Sequence, residues 1–342
     1  MKMKRRDLLK GMAGGLALAA LDAPREGSAR TIQALPPEAL GILYDSTLCV
    51  GCNACMAACK EANHMPMESG DAQEIWDNPI DLSAKTLNII KKYEDGTASH
   101  KDAVTDGYAF IKRQCLHCVD PSCVTACPVS ALTKDKENGI VSYNKDACIG
   151  CRYCQIACPY HIPKFEWDKA YPEIVKCQLC SHLIEEGGIS ACCSVCPTGA
   201  SLFGRVEELI EEARRRLQMT PGKQYEYPVS SVNSGKTHTF TAPAYIRHIY
   251  GQEELGGTQV MYLSAVPFEK FGLDAFPKES FVSMSSGIQY AIYKGMVYPL
   301  VVLAALIFMV QKNKQAEAAH AKPDAEQPAQ DQPSTRQGEN HE

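Results

Sequence analysis

The chain has 342 residues, of which 45% are hydrophobic and 22% charged, and its formal net charge is −5. This length could hold two domains, and the slight acidic excess argues against a nucleic-acid-binding surface, so no nucleic acid is expected among its partners. The composition also includes seventeen cysteines. A disulfide framework explains them poorly, because such frameworks belong to short secreted domains.

The N-terminus carries a predicted export signal. The sequence RRDLLK at residues 5–10 precedes a modest apolar run over residues 11–21. This order is typical of a twin-arginine leader, which directs a protein folded with its cofactors to the twin-arginine export machinery. We expect residues 1–29 to be a signal peptide, cleaved after Ala29 or Ala23. The alternative is a basic N-terminus ahead of a buried helix.

Sixteen of the cysteines form four groups of four. The groups are Cys49, Cys52, Cys55 and Cys59; Cys115, Cys118, Cys123 and Cys127; Cys148, Cys151, Cys154 and Cys158; and Cys177, Cys180, Cys192 and Cys196. An iron–sulfur cubane takes three thiolates from one tight loop and a fourth from a distant segment. The pattern therefore predicts four [4Fe-4S] clusters. Structural zinc is the alternative that the fourth group alone would allow.

Internal repeats predict how the groups pair. Residues 42–52 (ILYDSTLCVGC) are similar to residues 141–151 (VSYNKDACIGC), and residues 127–132 (CPVSAL) are similar to residues 196–202 (CPTGASL). Between the second and third groups, an Asn138-Gly139 turn predicts a β-hairpin. We expect the second and third groups to form an inner ferredoxin-like unit. The first and fourth groups would close over it as an outer unit, which gives an α+β fold of two interlocked bacterial-ferredoxin-like units.

Crossed ligation assigns each cysteine to a cluster, because the fourth cysteine of a ferredoxin group binds the other cluster of its pair. The predicted ligand sets are set 1 (Cys49, Cys52, Cys55, Cys196), set 2 (Cys115, Cys118, Cys123, Cys158), set 3 (Cys127, Cys148, Cys151, Cys154) and set 4 (Cys59, Cys177, Cys180, Cys192). Cys193 is left over. It could replace Cys192 as a ligand, but only Cys192 keeps the three-residue gap to Cys196 that the other groups show, so Cys193 is expected to be a buried free thiol. His117 is expected to form hydrogen bonds or to be exposed, and not to bind iron.

Five basic residues lie beside the cysteine loops: Lys112, Arg113, Arg152, Lys164 and Lys176. They could stabilise the reduced clusters, since cluster potentials respond to nearby charge. Solvated surface charges are the equally open alternative for each of them.

The segments around the cysteines complete the domain organisation. The four-cluster domain is predicted over residues 30–218, with an insertion at residues 60–114 that either packs over the clusters or contacts a partner. A helix is predicted over residues 206–217, where acidic residues come early and basic residues late. Residues 219–286 contain many Tyr and Pro residues and are expected to form an extended arm that docks on a partner.

A transmembrane helix is predicted over residues 287–311, because residues 295–310 carry no charge and extending the stretch towards the N-terminus reaches spanning length. Lys312 and Lys314 then favour a cytoplasmic C-terminus. This orientation places the clusters on the periplasmic side of the bacterial inner membrane. A buried core helix is the alternative reading. Residues 312–342 are expected to be a disordered cytoplasmic tail.

The four groups, in this order, resemble the four-cluster iron–sulfur subunits of the molybdopterin oxidoreductase and hydrogenase complexes. The resemblance covers about residues 41–263, including YGQEELGGTQVMYL at residues 250–263, which is similar to a stretch of the formate dehydrogenase β subunit. A twin-arginine leader combined with a C-terminal transmembrane helix favours the hydrogenase branch, as do the YDSTLCVGC opening and the second loop, QCLHCVDPSCVTACPVSAL.

The resemblance implies an electron-transfer subunit without a catalytic centre of its own. It would relay electrons from the large and small subunits of a nickel–iron hydrogenase to a quinone-reactive integral membrane subunit. The alternative is the equivalent subunit of a formate dehydrogenase or a sulfur-compound reductase with a molybdopterin catalytic subunit.

Overall fold

The computed structural model describes residues 34–67, 79–170 and 172–320. The fold is mixed α and β, and two compact units divide the chain after Gly287. The strands are β1 (Leu40–Asp45), β2 (Ile89–Glu94), β3 (His100–Lys101), β4 (Gly107–Arg113), β5 (Leu132–Lys134), β6 (Val141–Tyr143), β7 (Lys164–Phe165), β8 (Ile174–Val175), β9 (Ser201–Arg205), β10 (Gln224–Pro228), β11 (Thr237–Thr241) and β12 (Val260–Leu263). The α-helices are α1 (Ala54–Ala62), α2 (Ser122–Thr125), α3 (Tyr153–Ala157), α4 (Ser181–Glu185), α5 (Ala191–Ser194), α6 (Val206–Leu217) and α7 (Phe281–His320).

A three-stranded sheet with the order β12-β1-β9 joins the ends of the cysteine region. The antiparallel pair of β1 and β9 sets Tyr44 opposite Ser201. Because β1 leads into the first cysteine group and β9 follows the fourth, this register brings those two groups together. The helix predicted over residues 206–217 is confirmed as α6, which follows β9 directly.

A β-hairpin joins the second and third cysteine groups. Strands β5 and β6 pair antiparallel around the Asn138-Gly139 turn, which confirms the predicted hairpin. Leu132, Val141 and Ile174 are buried there in one apolar cluster with Cys123 and Cys154. The inner cysteines thus line a small core of their own.

The insertion between the first two groups forms a sheet with the order β2-β4-β3. Ile90, Phe110 and Ile111 are buried in the same apolar cluster as Cys55 and Cys59. The insertion therefore packs against the cysteine region, the first of the two expectations for it.

The segment expected to be an extended arm differs from that expectation. It forms the β10–β11 hairpin, and it also supplies β12, which pairs parallel with β1 and sets Ile42 opposite Val260. All four residues of β12 are buried. The apolar run VMYL was too short to distinguish a buried strand from irregular structure on periodicity alone. Docking of this segment on a partner stays a prediction.

The C-terminal helix α7 runs for 40 residues and contains Pro299. It continues through residues 312–320, which were expected to be disordered, because Ala, Gln, Lys and Glu in that stretch favour helix. Among the described residues, no helix is both long and apolar enough to cross a membrane. The transmembrane segment stays a prediction. The leader and residues 321–342 lie outside the described ranges.

Candidate iron–sulfur centres

Each cysteine group contains a left-handed residue at the same place, directly before its second cysteine. These residues are Gly51 (φ 68°), His117 (φ 50°), Gly150 (φ 70°) and Leu179 (φ 56°). Glycine adopts this conformation without steric cost, whereas His and Leu must be held in it by their surroundings. Four loops with one shared bend are the local basis of four similar sites.

Backbone amides point at the cysteine sulfurs in a repeated pattern. The N–H groups of Gly51, Gly150 and Leu179 donate to the Sγ atoms of Cys49, Cys148 and Cys177, each with an N···S distance of 3.4 Å. Ala131 and Ser201, at related positions of the CPVSAL and CPTGASL repeats, donate to Cys127 and Cys196 at 3.2 and 3.4 Å. Such bonds favour the thiolate form and help to set cluster potentials.

Two cavities are lined by four cysteines each. The first is lined by Cys49, Cys52, Cys55 and Cys196, with Tyr44 and Ile90 among its other walls. The second is lined by Cys127, Cys148, Cys151 and Cys154, with Leu132 and Tyr143. Their cysteines are those of predicted ligand sets 1 and 3. Each cavity combines residues that are distant in sequence, as crossed ligation requires.

In sets 2 and 4, the thiols raise each other's pKa, which shows that they lie close together. Burial raises the pKa of Cys59 to about 12, and the charges of Cys192 and Cys180 add to the rise. Burial likewise raises the pKa of Cys123 to about 12, with further contributions from Cys115 and Cys158.

The two remaining members belong with these groups. Burial raises the pKa of Cys177 well above its usual range, and the charge of Cys59 is the next cause. Burial and then Cys158 raise the pKa of Cys118. In sets 2 and 4, thiols from different cysteine groups thus lie close enough to affect each other's ionisation.

The donor chemistry fits iron–sulfur clusters. Buried thiols that oppose each other's ionisation become thiolates when bound iron supplies positive charge. Across the described parts of the chain, no group of three or more His, Cys, Asp and Glu side chains is arranged to hold a single metal ion. That result concerns one ion, whereas the four thiolates of a cubane each bind a different iron atom.

The sets follow one another in the order 1, 4, 2, 3. Cys55 of set 1 is in electrostatic contact with Cys192 of set 4. Cys177 of set 4 senses Cys115 of set 2, and Cys123 of set 2 senses Cys154 of set 3. Neighbouring centres in such a series are close enough for each to feel the charge of the next.

The expected burial of Cys193 and the expected hydrogen bonding of His117 are both confirmed. Cys193 is fully buried. His117 is also fully buried, and its Nδ1 accepts a hydrogen bond of 3.0 Å from the backbone N–H of Val141. The ring therefore fixes the inner hairpin against the second cysteine loop.

A buried polar network behind the first cysteine group was not predicted from the sequence. Asp45, the last residue of β1, accepts hydrogen bonds from Thr47, Tyr245 and Arg216. The Asp45–Arg216 ion pair is 2.9 Å long and both side chains are fully buried. The network fixes the turn that carries the chain into Cys49. Only the buried-strand position of Asp45 could have signalled it.

The sites and fold define an iron–sulfur protein of the ferredoxin type. A 4Fe-4S dicluster domain model matches residues 107–206. The chain is 45% identical over 316 residues to the Hydrogenase-2 operon protein HybA of Escherichia coli O157:H7, which covers 91% of this chain and 96% of that relative. The chain belongs to the family of that protein, and the resemblance seen in its sequence is confirmed.

The relatives extend to formate dehydrogenase subunits. The chain is 32% identical over 258 residues to the nitrate-inducible formate dehydrogenase iron-sulfur subunit of Escherichia coli K12, covering 75% of this chain and 78% of the relative. It is 34% identical over 229 residues to the formate dehydrogenase-O iron-sulfur subunit of the same strain, covering 66% and 67%.

Proposed function

We propose that this protein is the electron-transfer iron–sulfur subunit of a membrane-bound respiratory nickel–iron hydrogenase. Sets 1 to 4 would each hold a [4Fe-4S] cluster, and a cluster bound there supplies one-electron chemistry without bond making or proton transfer. The protein's own residues hold the thiolates at fixed places, donate backbone hydrogen bonds to the sulfurs and exclude water. No catalytic residue is needed for this role.

The observation that carries the proposal is the pair of four-cysteine cavities at the two ends of the series. The end sets reach the surface: Cys52 of set 1 is exposed, and Cys127, Cys148 and Cys151 of set 3 are partly exposed. All four cysteines of set 4 in the middle are buried. A protein with one fully buried inner set and accessible end sets is suited to accept electrons at one end and deliver them at the other.

Exposed apolar side chains border both ends. Val50 and Ile149 occupy the same position in the repeated C-x-G-C loops and are 52% and 65% exposed. Ile156 and Trp167, near the set 3 end, are exposed as well. Apolar surface of this kind is typical of protein docking sites. We assign these ends to contacts with the hydrogenase small subunit, which accompanies the large subunit, and with a quinone-reactive integral membrane subunit.

The extent of the likeness favours hydrogenase over the alternative. The match to the hydrogenase-2 operon protein has higher identity and covers nearly the whole of both chains, whereas the formate dehydrogenase subunits match over smaller shares. A formate dehydrogenase or a sulfur-compound reductase with a molybdopterin subunit remains the second candidate, because those subunits share the cluster pattern.

We further propose that the protein is exported by the twin-arginine machinery and lies on the periplasmic side of the inner membrane. The sequence RRDLLK at residues 5–10 supports export with clusters in place. Along α7, the apolar side chains of Ile292, Leu300 and Phe308 are among many that are more than half exposed. A lipid environment would cover such a helix.

The test is metal analysis of the intact membrane complex, purified anaerobically in mild detergent through this chain. We expect nickel together with iron, and about sixteen irons per copy of this chain beyond those of its partners, with equal acid-labile sulfide. The same purification from cells that lack the gene for this chain gives the background metal and sulfide content. Molybdenum or tungsten in place of nickel would support the second candidate, and about twelve irons would mean that one set is not a four-iron site.

A further inference from the structure

The five basic residues that lie beside the cysteine loops have different partners in the structure. Lys164 pairs with Asp81 at 2.8 Å, the Arg152 guanidinium lies over the Trp167 ring, and Lys176 donates to the carbonyl oxygens of Val141 and Cys177. Arg113 is partly exposed. Lys112 and Lys176 are both buried, but the ammonium group of Lys112 binds a serine hydroxyl instead of carbonyl oxygens, and it lies close to thiols of two ligand sets.

The Lys112 side chain is fully buried on β4, close to ligand sets 1 and 4. Its Nζ donates a hydrogen bond of 3.2 Å to Ser201 Oγ, at the start of β9. Its positive charge is close enough to act on the thiols of Cys55 in set 1 and Cys192 in set 4. Ser201 in turn donates its backbone N–H to Cys196 of set 1. The ammonium group therefore lies against both sets.

Within the described residues, no carboxylate balances this charge. Among the ion pairs of the described residues, none includes Lys112. A buried ammonium group without an anionic partner is strongly unfavourable. The anions that lie nearby are the cysteine thiolates. A cluster with four thiolates carries a net negative charge, so clusters in sets 1 and 4 would supply the missing partner.

We propose that Lys112 is a positioning residue that holds one fixed positive charge between the clusters of sets 1 and 4 and raises the reduction potential of both. The inference rests on the proposed function, because it requires clusters in those sets. Each cluster accepts one electron from a reduced neighbour and passes it on, with no bond made or broken and no proton moved. The added negative charge is stabilised by the nearby ammonium group, which favours the reduced form.

The position of Lys112 also gives its charge a role in electron transfer along the series of clusters. Set 1 is an end of the series and set 4 is its neighbour. Raising both potentials together keeps the two steps matched, so that neither set becomes a barrier for the other. A charge placed beside only one set would instead separate their potentials.

The experiment is a redox titration of the purified full complex, followed by electron paramagnetic resonance, for Lys112→Met, Lys112→Gln and Lys112→Arg. The control is Lys92→Met, which removes a lysine from the neighbouring strand β2 that is partly exposed and pairs with Glu94. We expect the two neutral variants to shift two of the four cluster signals of this chain to lower potential. Lys112→Arg and Lys92→Met should leave all four unchanged.

Each outcome decides the question. Unchanged potentials in a neutral variant that retains its full iron content overturn the inference. If both neutral variants lose iron while Lys112→Arg keeps full iron and native potentials, the charge itself is required to hold the two clusters, which supports it. If Lys112→Arg loses iron as well, the site needs the shape of lysine and the inference fails. Too few cluster signals in the unmodified complex would instead contradict the proposed function.

Discussion

Arg216 is the central residue of the polar network behind the first cysteine group. Besides Asp45, it binds Glu212 with an Nε···Oε1 distance of 2.8 Å, and its guanidinium lies 5.0 Å from the Tyr227 ring centroid. Arg215 binds the other side of Glu212 at 2.6 Å. Asp45 also binds Thr47, so the network links α6 to the turn before Cys49 and fixes that turn.

Replacing Arg216 by Met should destabilise the protein strongly, because it leaves Asp45 buried without a positive partner. Removal of one member of a buried ion pair costs about 3–5 kcal/mol, which for a protein of this size lowers the unfolding temperature by about 10 °C. The measurement is the temperature at which the purified complex loses its iron–sulfur absorbance. Arg214→Met is the control, since Arg214 lies on the same helix but is exposed. Equal effects of the two substitutions would contradict this role.

At the residue scale, the sequence predicted those site residues that lie close together along the chain. Cysteine spacing identifies its four groups because the ligands of one loop are neighbours in sequence. The Asp45–Arg216 pair joins residues 171 positions apart, and no periodicity or motif links them. Lys112 is an intermediate case: its place beside the second loop was visible, but whether it is buried depends on how β4 packs against β9.

At the level of elements, the segment before β12 ties the outer sheet to the inner hairpin. The Gln259 side-chain amide donates to the carbonyl oxygens of Leu40 and Asn138 at 2.6 and 2.9 Å. Its Oε1 accepts a hydrogen bond of 2.7 Å from Lys134. Since Leu40 begins β1 and Asn138 lies in the β5–β6 turn, one buried side chain connects both ferredoxin-like units.

We expect Gln259→Leu to loosen the joint between the units. The substitution removes three hydrogen bonds, those to the carbonyl oxygens of Leu40 and Asn138 and the one from Lys134, at about 1 kcal/mol for each bond. The iron–sulfur absorbance should be lost at a temperature lower by about 6–12 °C, given a total near 3 kcal/mol. Gln224→Leu, at an exposed position of β10, should leave this temperature unchanged. A native transition in Gln259→Leu would mean that backbone pairing alone holds the units together.

The elements show the same limit of prediction. The β5–β6 hairpin followed from an Asn-Gly turn between apolar residues, which is a local signal. The parallel pairing of β12 with β1 was missed, because β12 has only four residues and its partner lies more than two hundred positions earlier. Parallel strands are joined by long connections, so no local sequence signal near β1 or β12 predicts that the two strands pair.

At the scale of the whole molecule, the cluster-binding residues and the C-terminal helix are separable. All sixteen predicted ligands precede Gly287, the last residue of the first compact unit. Among the α7 side chains that the structure describes beyond that point, most are exposed. Binding of clusters and attachment to the membrane partner should therefore respond to different changes.

A chain ending at Gly287 should keep its full iron content but deliver electrons poorly to the membrane subunit. Attachment through the helix makes docking effectively intramolecular, and losing such a link weakens association by about tenfold or more. Hydrogen-dependent quinone reduction should fall by that factor, while hydrogen-dependent reduction of an artificial dye by the catalytic subunits stays unchanged. The control is a chain lacking only residues 321–342, which keeps α7 and should retain both activities. Equal loss of both activities would show that the helix is needed to assemble the whole complex. Retention of both would show that docking is carried by the part of the chain before Gly287, with the exposed apolar surface around Val50 and Ile149 as the next region to test.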